Sequence, residues 1–97
     1  MVTMIINFNE RKLNEVGTTV ELLLQPFEEH CRKHQIARLK VNIFEKDGKH
    51  ALALIGIIMC QISENDTYLE LMDSWYWDVD GKREDLLKGA LKWKEKR

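Results

Sequence analysis

The chain is poor in residues that interrupt or staple a fold: its 97 residues include one proline, five glycines and two cysteines. So few breakers exclude a collagenous or low-complexity chain. Cys31 and Cys60 are too few for the disulfide framework of a small secreted domain, so both are expected as reduced thiols. No apolar stretch approaches the ~20 residues of a membrane-spanning helix. The first residues also lack the basic lead and small-residue cleavage site of a secretory signal. The expectation is a cytoplasmic protein with no membrane contact. Neither sign of charge is in excess: 15 Lys and Arg against 16 Asp and Glu exclude a globally basic nucleic-acid binder and leave room only for a local patch. A phosphate-cradling glycine loop and a Gly-x-Ser-x-Gly elbow are both missing, so neither catalysis nor a cofactor is expected.

The chain is rich, by contrast, in one place: Ala51 to Ile62, twelve positions with no charge and one polar side chain. Bounded by Asp47-Gly48 before it and Ser63 to Asp66 after it, this run reads as the central strand of a sheet with apolar material on both faces. The alternating segment Arg38 to Lys46 leads into it through a two-residue Asp-Gly hairpin turn. Thr67 to Trp77 alternates again, with Leu69, Leu71, Trp75 and Trp77 toward the helices, and supplies a third antiparallel strand. Val2 to Phe8 reads as an added edge strand, with Asn9 to Asn14 as a loop after it.

Two helices complete the pattern. The first runs from about Thr19 to His34, with Thr18 and Glu21 as a capping box and Val20, Leu23, Leu24, Phe27 and Cys31 at helical spacing. Pro26 inside it implies a kink or, on a rival reading, a strand over 18–24 and a helix starting at the proline. The last helix starts near Gly81 or Lys82 under an Asp80 cap and carries Leu86, Leu87, Ala90, Leu91 and Trp93. The expected fold is a single α+β domain over 1–97, a small two-layer sandwich. Its antiparallel sheet of three to four strands has two helices packed on one face, in the order β-α-β-β-β-α.

In that arrangement the sheet face away from the helices holds Phe44, Ile55, Ile57, Tyr68, Met72 and Tyr76, too apolar a set to stand bare. The leading expectation is therefore a non-catalytic protein-interaction module. It would self-associate as a homodimer, or bind a protein partner as an inhibitor or accessory subunit does, through those six residues. Cover by the chain's own N-terminal segment is the other reading of the same face.

Three further clusters carry chemistry on paper. His30, Cys31 and His34 share a helix and place two imidazoles four apart, but the signature spacings of a zinc site are missing, so no metal is expected. Cys60, inside the apolar run, reads as core. Asp73, Asp78 and Asp80 fit no calcium loop. The basic residues Lys82, Arg83, Lys88, Lys92, Lys94, Lys96 and Arg97 crowd the C-terminal region. A nucleic-acid-binding domain using Lys82, Arg83, Lys88, Lys92 and Lys94 is accordingly the alternative function. The helix, three strands, helix order and Gly81-Lys82-Arg83 resemble the double-stranded RNA-binding domain, which implies phosphate contacts from that helix start. The chain departs from the family's pattern at Lys49-His50, where a Gly-Pro-x-His loop belongs, and by the acidic neighbours Asp78, Asp80, Glu84 and Asp85.

Overall fold

The computed structural model describes residues 1–96; Arg97, counted above among the basic residues, lies outside them. Val2–Phe8 (β1) alternates buried Val2, Met4 and Ile6 with outward Thr3, Ile5 and Asn7, the pattern of a strand with one face in the core. Asn9 then caps a helix where a loop was expected. Its side-chain oxygen accepts the Lys12 N–H at 3.0 Å to start α1 (Glu10–Val16), and Gly17 ends it at φ +73°. Thr19, rather than Thr18, caps α2 (Val20–Leu24) by accepting the Leu22 N–H at 3.2 Å. Pro26 sits in a 3-10 turn, Gln25–Phe27, and α3 (Glu28–Lys33) resumes beyond it. The long helix is thus bent at its one proline, which has no N–H to continue the ladder; the strand reading of 18–24 is not adopted.

The expected strand from Arg38 to Lys46 is two strands, β2 (Ala37–Lys40) and β3 (Ile43–Lys46), antiparallel to each other. The break at Val41-Asn42 is held by polar side chains: Arg38 donates to the Val41 carbonyl, and the Asn42 amide donates to the Ile6 carbonyl at 2.8 Å. Phe44 turns inward and is fully buried.

The expected central strand is a helix. Ala51–Ser63 forms α4, with Ala51, Ile55, Ile58 and Ile62 buried, a spacing of four, three and four that only a helix puts on one face. A continuous apolar run does not distinguish a strand from a buried helix by period. Its length does, because thirteen residues are about twice a usual strand. Asp47-Gly48 consequently leads from strand to helix. The two-residue hairpin belongs to Asp80-Gly81 instead: both have positive φ, +50° and +85°, and Val79 pairs with Lys82 across them.

The third expected strand is also split. Asn65 caps α5 (Asp66–Leu71), accepting the Thr67 N–H at 3.0 Å, and only then does β4 (Met72–Val79) begin. After the Asp80-Gly81 turn come β5 (Lys82–Asp85) and α6 (Leu86–Glu95). Asp85 caps α6 by accepting the Lys88 N–H at 2.9 Å, so Asp80 is a turn residue and not a cap.

The five strands form one antiparallel sheet in the order β2-β3-β1-β4-β5. The N-terminal strand is therefore the middle of the sheet and not its edge. The α+β class stands as expected, with five strands and a larger set of shorter helices than the two foreseen. The register lines up Phe44, Met4 and Trp77 across three strands and Ile6 with Trp75, and the Ile stripe of α4 joins these residues in one core. The opposite face carries Thr3, Ile5, Ile43 and Tyr76, none of them fully buried.

Helix and strand readings of the central run give opposite results for neighbouring isoleucines. Ile58→Ala removes a fully buried side chain and is expected to cost about 2–4 kcal/mol in chemical denaturation. Ile57→Ala, at a position 46% exposed, is expected to change stability by no more than about 0.5 kcal/mol. Equal losses at Ile55 and Ile57, which would share a strand face, would contradict the helix.

Candidate functional site

The six residues expected to form one apolar sheet face are separated by the fold. Phe44, Ile55, Tyr68 and Met72 are buried in the core, where the Tyr68 hydroxyl donates to the Leu23 carbonyl. Tyr76 lies on the open face of the sheet, and Ile57 lies on the outer side of α4. The face was inferred from strand alternation through 38–46, 51–62 and 67–77; helices over Ala51–Ser63 and Asp66–Leu71 redistribute the side chains there, and Phe44 lies on the core-facing side of its strand instead of the outer one.

The open sheet face is finished with polar cross-strand pairs. Thr3 donates to Glu45 at 3.0 Å and Asn7 donates to Ser74 at 2.9 Å. Arg83 grips Asp78 through two hydrogen bonds, 2.9 and 3.2 Å, with its guanidinium 4.2 Å from the Tyr76 ring centroid. The arginine's hydrogen bonds hold the Asp78 carboxyl below its usual pKa, and the carboxylate raises the arginine's. Arg83 is thus occupied by its own chain. Of the other basic residues expected to meet a phosphate backbone, Lys94 lies 3.7 Å from Asp66 and 4.0 Å from Glu70. Lys82 and Arg83 stand on β5 beside Glu84 and Asp85, while Lys88 and Lys92 stand on α6. The Gly81-Lys82-Arg83 segment is a turn and strand rather than a helix start, so the geometry implied by the RNA-binding resemblance is not formed.

The histidine and cysteine cluster is also used internally. His30 Nε2 lies 2.9 Å from the Leu54 carbonyl, tying α3 to α4, and its ring is 4.6 Å from that of His34. The His34 pKa is lowered by desolvation and then by the charges of His30, Lys33 and Lys46. Cys31 is buried, and desolvation pushes its thiol pKa up despite the nearby Arg38, the opposite of a reactive thiolate. Among the described residues no three His, Cys, Asp or Glu side chains gather as metal ligands. Cys60, expected in the core, is exposed, because it comes two positions after Ile58 and falls outside the buried stripe of α4.

The surface left unfinished is on the helical side. Between α4 and α6 lies an open cleft of about 230 Å³, lined by Met59 and Ser63 from α4, by Glu84 and Asp85, and by Leu86, Gly89, Ala90 and Trp93 from α6. Glu84 also lines a second hollow, with Leu52, Trp77 and Val79. It accepts the Trp77 indole N–H at 3.4 Å between the two. Trp93 stands beside the cleft 61% exposed, with Leu52 and Ile57 exposed on α4. Gly89 faces open space: a Cβ placed there would meet nothing within 4 Å. Trp93 and Gly89 were legible only as members of an amphipathic helix, and nothing in their spacing marks them as a groove. No helix among the described residues is long and apolar enough to cross a membrane. Comparison with protein-family models, curated proteins and solved structures finds no match for this chain.

The two thiols are expected to separate cleanly. An aromatic disulfide reagent at pH 8 should modify Cys60 alone in the folded protein, with Cys31 reacting only after denaturant is added. Two thiols titrating together in the native state would show that α3 does not shield Cys31.

Proposed function

We propose that this chain is a non-catalytic protein-interaction module whose docking surface is the cleft between α4 and α6. The observation that carries the reading is the exposed Trp93 beside an apolar, unfilled cleft. Trp is enriched at the energetic centres of interfaces, and a groove between two helices suits an amphipathic helix laid along it. The protein-binding role expected from the sequence is kept, and its place moves from the sheet to the helical layer. Two free cysteines, one of them exposed, suit a reducing compartment such as the cytoplasm.

A peptide-display selection against the folded chain, followed by amide NMR titration, tests the surface. The expected binders are amphipathic helical peptides that perturb Met59, Gly89, Ala90 and Trp93. Gly89→Arg, whose Cβ meets no neighbour and whose long side chain then competes for the cleft, should weaken them by about tenfold or more. Perturbations centred on Ile5, Ile43 and Tyr76, or a selection that yields no binder, would overturn the assignment.

A further inference from the structure

The occupant of the cleft can be inferred from the helix that forms its wall. Asp85, Gly89, Lys92, Trp93 and Lys96 recur at helical spacing along one side of α6 and its two caps; Asp85, Gly89 and Trp93 line the cleft, and the two lysines continue the same side outside it. At the start of this stripe stand Glu84 and Asp85; at its end stand Lys92 and Lys96. Neither lysine takes part in an ion pair among the described residues, in contrast to Lys94. The stripe is therefore acidic at one end, basic at the other, and nearly bare in the middle, where Gly89 lets another helix approach closely. Trp93, one turn beyond Gly89, is a large knob beside a hollow that its own side chain does not fill.

A surface with opposite charges at its two ends and a knob beside a hole is complementary to itself when a second copy is turned end for end. Resting on the reading of the cleft as a docking surface, we infer that its occupant is a second copy of this chain, related by a two-fold axis near Gly89 with the two α6 helices antiparallel. The two-fold arrangement makes each contact occur twice. Lys92 and Lys96 of each copy face Glu84 and Asp85 of the other, and each Trp93 covers the opposite hollow at Leu86 and Met59. Contact of these lysines with an anionic nucleic-acid backbone is disfavoured at this site by the carboxylates in the same stripe.

Solution mass and charge reversal test this directly. The wild-type chain should rise from 11.5 kDa toward twice that mass in light scattering as concentration increases. The Lys92→Glu, Lys96→Glu double variant and the Glu84→Lys variant should each dissociate about tenfold more readily, since like charges then face each other. Asp85 is left in place because it caps α6. Mixed in equal amounts, the two variants should associate more tightly with each other than either does with itself, because one half of the interface regains its native lysine–carboxylate pairs and in the other the reversal at position 84 meets two reversed charges. Circular dichroism should be unchanged throughout.

A wild type that stays monomeric to about 1 mM, well above the micromolar range of functional dimers, overturns the inference. So does a dimer indifferent to the variants, or a mixture that associates no more tightly than either variant alone. If the chain is monomeric and selected peptides still map to Gly89 and Trp93, only the second copy is refuted and the docking surface stands. If neither associates there, both readings fall.

Discussion

Strand β1 has both backbone edges occupied, by β3 on one side and β4 on the other, and the rest of the molecule depends on that double pairing. Without β1 the chain would hold two separate hairpins, β2-β3 and β4-β5, and an isolated two-stranded hairpin is marginal in water. Its register brings Met4 between Phe44 and Trp77 and sets Ile6 opposite Trp75. The resulting apolar floor is what the isoleucine stripe of α4 covers. The pairing partners lie tens of residues apart in sequence, so sheet and core are expected to form together rather than hairpin by hairpin.

The helical layer covers one face of the sheet, and the two remaining surfaces are finished in different ways. On the open sheet face, Ile43, Ile5 and Tyr76 stand side by side across β3, β1 and β4, flanked along the strands by the Thr3–Glu45 and Asn7–Ser74 pairs, and the Arg83 guanidinium roofs the Tyr76 ring. Each such exposed ion pair adds little stability. Together they satisfy the side chains that a partner would otherwise have to desolvate, leaving a face suited to water. The α4/α6 side has no such finish. Its apolar side chains border a hollow, with Glu84 and Asp85 just before α6 at one end and Lys92 and Lys96 toward the other.

The groups that resemble reactive chemistry in the sequence have structural uses in the fold. His30 ties α3 to α4 through the Leu54 carbonyl, and Arg38 spans the β2-β3 break while its guanidinium stacks 4.4 Å from the Phe44 ring centroid. Cys31 is held as a neutral thiol beneath them. Cation stacking and short polar ties of this kind fix the ends of elements that are themselves only four to seven residues long. Such short elements have little stability of their own.

The α+β class, the amphipathic C-terminal helix, the bend at Pro26 and the inward Trp75 and Trp77 were all legible in the sequence, because local pattern and single-residue chemistry decide them. The sequence also carried the true hairpin signal at Asp80-Gly81, which competed with an equally good Asp-Gly pair at 47–48. Nothing local separates the two turns. The segment after each one does: a four-residue polar strand after Gly81, a thirteen-residue apolar helix after Gly48. Only the length of the run pointed to a helix over Ala51–Ser63, since apolarity on all sides erases the period that would reveal it, and which four of its residues face the core was left to the tertiary structure. The central place of β1 was left to it as well, because order within a sheet is set by pairing between distant segments. The cleft beside Gly89 and Trp93 belongs to the same class. It exists only where α4 and α6 fail to meet, and a gap between two elements leaves no mark on the sequence of either.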